Sequence, residues 1–156
     1  MKIALVLLLS AFSMLAQAAN IGERLTPWTL QDQHDQPYTL NEKTRVLLVA
    51  RNMDGSKLVK AALENQAKGY LEARNVVFLA DVQRMPSLIG KFIAIPAMRD
   101  YSYRVVLDRD GKVAANYPGA EDKVLWLQLD NCTLVSRQEF ASADELRAAL
   151  EKLPVQ

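Results

Sequence analysis

Arg45-Val46-Leu47-Leu48-Val49-Ala50-Arg51-Asn52-Met53-Asp54-Gly55-Ser56-Lys57-Leu58-Val59-Lys60-Ala61-Ala62-Leu63 is the stretch that decides the fold. Its first part is an unbroken apolar run of strand length, the mark of a strand buried on both faces. Its last part has helical spacing: Val59, Leu63, Ala67 and Tyr70 fall on one side of a helix expected over 56–74. Asn52 to Ser56 form the turn between, rich in residues that begin helices. A central strand that feeds a helix through such a turn is where α/β proteins often place chemistry, because the helix's free N–H groups point into the crevice. Here that turn holds no cysteine, no histidine and no glycine-rich loop.

A second apolar run, 75–81, follows the helix, and the pair predicts a parallel βαβ unit with a right-handed crossover. Upstream, two short extended pieces flank the polar, proline-containing turn 31–37, which predicts a small N-terminal hairpin. Downstream, a short helix is expected over 87–95, stopped or kinked at Pro96. A strand is expected over 103–108, with Asp110-Gly111 as a hairpin signal before 112–117. Two further strands, 124–130 and 133–140, flank Cys132, and Leu125, Leu127 and Leu129 alternate onto one face of the first. Ser142 and Glu145 form a capping box that opens a terminal helix with Leu146, Leu150 and Leu153 as its apolar stripe. The sum is an α/β sandwich around a mixed central sheet.

Lys2, an apolar run over 3–15 and Ala16-Gln17-Ala18 have the order of a secretory signal peptide cleaved after Ala18. The run is too short for a membrane anchor. Residues 1–18 are therefore expected to be removed, leaving 19–156 as one periplasmic domain without a membrane span. Cleavage takes away Lys2 alone among the charged residues and leaves 18 basic against 18 acidic. Neutrality with interspersed signs argues against nucleic acid, whose binders need a basic footprint.

The order of these pieces resembles the thioredoxin-like superfamily, in particular its secreted redoxin and TlpA-like (AhpC/TSA-like) branch. Three pieces carry the resemblance: Ile21-Gly22-Glu23-Arg24-Leu25-Thr26-Pro27-Trp28-Thr29-Leu30 as the branch's opening, the strand, turn and helix at 45–63, and Val106-Leu107-Asp108-Arg109-Asp110-Gly111-Lys112-Val113. It implies a three-layer α/β/α sandwich with a mixed central sheet and an N-terminal β-hairpin. It also implies a redox Cys-x-x-Cys opening the helix after the central strand. Counted from Ala50, those positions are Met53, Asp54, Gly55 and Ser56, which supply no thiolate, so dithiol exchange at this turn is chemically impossible. The branch places a cis-proline beside the redox site, and alignment on Asp108 puts Ser102 there.

Asp54 and Ser56 are expected to cap the helix, a role that needs no function; the functional alternative makes Met53 to Ser56, with Ser102, a surface for a partner protein or small ligand. Cys132, the one cysteine, sits in a tight turn with no adjacent basic residue to lower its pKa. A free thiol, an intermolecular bridge or an inert, partly buried residue all fit it, the last best. His34 reads as a solvated turn residue, and no metal site is expected. The six glycines, at 22, 55, 69, 90, 111 and 119, form neither a GxGxxG nor a P-loop, and no cofactor is expected. Asp108 opens no calcium loop, since the twelfth position from it is Gly119. The aromatic residues Trp28, Tyr101, Tyr103, Tyr117 and Trp126 suit either core pairs or a binding face.

The function expected is a periplasmic accessory module that binds a protein or ligand and has no dithiol chemistry. The alternative is an oxidoreductase: a one-cysteine thiol peroxidase or reductase using Cys132, or a flavin-dependent dehydrogenase.

Overall fold

The computed structural model describes residues 18–156. All of the expected signal peptide except Ala18 lies outside the described residues. Among the described residues, no helix is long and apolar enough to cross a membrane.

Two apolar runs make the centre of a five-stranded sheet. Strand β3 (Val46–Ala50) is buried at all five positions and pairs in parallel with β4 (Val76–Asp81), Val46 opposite Val76 and Ala50 opposite Ala80. On its other side β3 pairs antiparallel with β6 (Val124–Asp130), Ala50 opposite Val124. Strands β5 (Val106–Asp108) and β7 (Thr133–Phe140) complete the order β5-β4-β3-β6-β7. The N-terminal hairpin is present as β1 (Thr29–Gln31) and β2 (Pro37–Thr39). Beyond it Asp32 bridges Val106, which covers the β5 edge of the sheet.

Alternation along the strands sends side chains to two cores. Leu48, Phe78 and Trp126 face helices α1 (Met53–Ala62), α3 (Ile95–Met98) and α4 (Ala143–Glu151). Leu47, Leu79, Leu125, Leu127 and Leu129 face the opposite layer, built from the N-terminal segment, the hairpin and the 3-10 turn Ala114–Asn116. The mixed sheet between two outer layers is the expected architecture. Ser142 caps α4 through its hydroxyl, which accepts the Glu145 N–H at 3.4 Å.

Four elements differ from expectation, each for a tertiary reason. Strand β5 starts at Val106 and not Tyr103, because the Gln33 side chain donates to the Tyr103 carbonyl and accepts the Val105 N–H. Helix α1 begins at Met53 and ends at Ala62, well short of Arg74. Arg147 on α4 donates to the Ala61 and Ala62 carbonyls at 2.7 and 3.1 Å, satisfying the end of α1 from outside its own sequence. Asn65 and Gly69 then turn the chain at φ of 64° and 87°. Pro96 does not stop its helix. After α2 (Ser87–Ile89), a π-turn over Gly90–Ala94 lets the Ile95 N–H reach back to the Gly90 carbonyl, and α3 continues through the proline. Asp110-Gly111 is not a hairpin, because the Asp108 carboxylate accepts the Gly111 and Ala114 N–H groups at 3.1 and 2.7 Å and holds the chain in the 3-10 turn.

Candidate functional site

The turn after β3 is built by Asn52. Its side-chain oxygen accepts the Asp54 and Gly55 N–H groups at 3.0 and 3.2 Å, so it, and not Asp54 or Ser56, caps α1. Asp54 instead places its charge in the helix's first turn, where the dipole favours it. Met53 points outward and is 61% exposed. Gly55 is buried, and a Cβ there would stand 3.1 Å from the Lys123 carbonyl and 3.2 Å from the Ala50 Cβ. The segment before β6 therefore lies directly against the opening of α1.

That contact bears on the proline position implied by the family resemblance. Strand β5, which ends in Asp108, is at the sheet edge and parallel to β4, two places from β3. The strand whose entry touches the turn is β6, so Lys123 and Val124 occupy the flanking position. Ser102 lies elsewhere: it borders a hollow with Lys57, Lys60 and Tyr101 along the later turns of α1. Among the described residues every peptide bond is trans. The sequence signal for β6 was present in its apolar run, but the Asp108 motif resembled it closely enough to take its place.

Around the turn, Arg51 donates to the carbonyls of Ala114 and Tyr117 at 3.1 and 2.5 Å, pinning the 3-10 turn to the end of β3. Arg84 and Glu121 form an ion pair at 2.6 Å between the loops after β4 and before β6. The Arg84 guanidinium holds the Glu121 carboxyl below its usual range.

Beside Met53 and Ser56 opens a groove of about 380 Å³ between α1 and the 87–98 helical segment. Phe78, Tyr103 and Val105 lie on its floor, and Met85, Ile93 and Met98 on its far wall. Tyr101 stacks on Tyr103 at 5.1 Å between ring centroids, and burial pushes the Tyr103 phenol far up from its ordinary value. The other aromatics do not join this face. Trp28 donates to the Tyr117 hydroxyl at 2.9 Å in the opposite layer, and Trp126 packs on Phe140 in the core. Leu88, Ile89, Phe92 and Ile93 project from the helical segment with exposures of 47–73%. Nothing in the sequence marked them as exposed; their spacing reads equally well as a buried face.

Cys132 is at the other end of the sheet. It follows β6 past Gln128, which pairs with the first residue of β3, whereas the Met53 turn follows the last. The thiol is 2% exposed, in a two-residue turn where Asn131 and Cys132 both have positive φ, 51° and 62°. His34 is exposed in the β1–β2 turn. Among the described residues, no group of three histidine, cysteine or acidic side chains is placed to hold a metal.

The fold is that of thioredoxin-like proteins. Among solved structures, it is similar to the peroxidoxin BcpB of Mycobacterium tuberculosis (TM-score 0.56, 17% identity, covering 87% of this chain and 99% of that one). It is also similar to the thioredoxin domain of a thiol-disulfide oxidoreductase from Bacteroides vulgatus (TM-score 0.53, 16% identity, 86% and 98% covered). A thio-disulfide isomerase from Thermus thermophilus matches over 88% and 99% of the two chains at TM-score 0.52 and 22% identity. No protein-family model matches the sequence, and no curated protein does either.

Proposed function

We propose that this chain is a periplasmic thioredoxin-fold protein that has no dithiol redox chemistry and serves as a binding accessory module. Its binding surface is the turn Met53, Asp54, Gly55 and Ser56 with the apolar groove alongside, and Ser102 stands on the flank of that face. Its partner is a periplasmic protein or a small ligand. One observation carries the reading: the turn that opens α1 from the central strand has Met53 to Ser56 and no sulfur nucleophile, while the one cysteine is buried at the far end of the sheet. The periplasmic location is supported by the signal-peptide order of residues 1–18.

The competing reading, thiol chemistry through Cys132, draws on the likeness to a thiol-disulfide oxidoreductase and a thio-disulfide isomerase. Reduction of insulin disulfides separates the two. The purified protein is expected to turn over no faster than the uncatalysed background, with Cys132→Ser indistinguishable from it. Catalysis that disappears in Cys132→Ser would establish the competing reading. The N-terminus of the protein recovered from the periplasm is expected at Ala19; an intact Met1 there would show that no signal peptide is cleaved.

A further inference from the structure

We propose that the groove between α1 and the 87–98 segment binds a single-chain amphiphile with an anionic head, of the fatty-carboxylate class. The chain lies on the apolar floor and the head meets Lys57 and Lys60. This inference rests on the binding-module reading above and names the ligand class of the same face.

Three observations converge on that class. The first is the lining. Phe78 and Val105 form a floor at 2% and 1% exposure, and the walls add methionine and isoleucine side chains around about 380 Å³, a volume in the range of small-molecule sites. Methionine adapts its shape to a flexible chain. The second is the exposure of the walls. Met53 and Ile93 are 61% and 65% exposed while lining the groove, so apolar surface stands in water where a chain would cover it. The third is charge. Lys57 and Lys60 lie about one turn apart on α1 and are exposed, and neither is in an ion pair among the described residues. The Lys60 ammonium sits 5.1 Å from the centre of the Tyr101 ring, which holds it at the groove's edge.

The remaining polar groups do not favour other ligands. Asp81, the carboxylate in the lining, is 8% exposed and accepts from the backbone and side-chain nitrogens of Gln83 at 3.1 and 2.9 Å. A cationic head would share the groove with two ammonium groups that have no ion-pair partner among the described residues. Asn52 is engaged in capping α1. Both long walls are helical, so an extended peptide finds no free strand edge to pair with.

The test is a titration of the protein with sodium dodecanoate below its micellar concentration, followed by calorimetry and by amide chemical shifts. One equivalent is expected to bind saturably, with shifts concentrated around Met53, Lys60, Ile93 and Tyr101. The double variant Lys57→Glu/Lys60→Glu, at exposed positions, is expected to bind about tenfold more weakly. Dodecyltrimethylammonium is expected to show the reverse preference, weak on the natural protein and stronger on the double variant. Ala97→Trp, which fills the groove from an exposed position, is expected to abolish dodecanoate binding with an unchanged Tm.

Absence of saturable binding would overturn the inference, and so would equal affinity for the two heads. Adsorption to phosphatidylglycerol vesicles without binding of free dodecanoate would overturn it in favour of a membrane surface. None of these failures touches the insulin result. A protein inert towards both dodecanoate and disulfides would lose this ligand class and keep the absence of redox chemistry.

Discussion

Two residues, Met53 and Cys132, have between them what a thioredoxin-fold redox site needs in one place: the exposed position at the head of α1, and sulfur as a thiol. Cys132 has the thiol but not the exposure, since its side chain is 2% exposed in the β6–β7 turn. Reagents reach it only when that turn opens. Labelling by Ellman's reagent under native conditions is therefore expected to be more than about a hundredfold slower than for the unfolded chain. Fast native labelling would mean a reactive thiol. Asp108 is the buried polar residue with the clearest structural task. It is fully buried, and its carboxylate accepts two backbone N–H groups. Asp108→Asn leaves one of them without an acceptor and is expected to cost about 1–3 kcal/mol in urea unfolding. Burial pushes the Asp108 carboxyl up, against the Ala114 N–H that pulls it down. The folded protein therefore holds this proton more tightly than the unfolded chain does. The group's contribution to stability is fully present below the ordinary carboxyl value and is lost as pH rises through the raised one. The stability gap between the natural protein and Asp108→Asn should accordingly widen as pH falls from about 7 to about 4; a gap that narrows would contradict this assignment.

At the scale of elements, the strands were readable because apolar runs and alternation report burial directly, and β3, β4, β6 and β7 came from that signal alone. Element ends were not readable, because partners far along the chain set them. Arg147, 85 residues from Ala62 in sequence, completes the end of α1. Gln33 is another such partner. It is 1% exposed, accepts the Val105 N–H at 2.8 Å and donates to the Tyr103 carbonyl at 2.8 Å, tying the hairpin to the segment before β5. As a glutamine in a polar turn it gave no sign of burial. The opening of α1 is the element contact on which the candidate site depends. Gly55 faces the Lys123 carbonyl and the Ala50 Cβ, both fixed by the sheet. Gly55→Val is expected to destabilise by about 1–3 kcal/mol through overpacking. Gly55→Ala should cost less, since alanine's helix preference offsets about 1 kcal/mol. Thermal unfolding of both variants checks the order; a stabilised Gly55→Val would show that the β6 entry does not press on the helix.

For the whole molecule, the architecture could be read from the order of its elements, and the similar solved structures bear out that reading of the fold. The candidate site could be read only in part. The spacing from Ala50 reaches Met53 to Ser56, whereas the groove exists only once the 87–98 segment is placed in space, and exposure has no signature in an apolar helix. Misplacing Ser102 has the same root, because two strands ended in similar aspartate motifs and only the pairing of β6 with β3 tells them apart. The thioredoxin fold is shown; the absence of redox chemistry at its turn is the proposal to be tested. The most direct measurement is the rate of insulin-disulfide reduction by the natural protein beside the variant Met53→Cys/Ser56→Cys in a Cys132→Ser background. Background rates are expected for the natural protein, and for the variant a disulfide between the two new cysteines with catalysis above background. Turnover by the natural protein that survives Cys132→Ser would contradict the proposal.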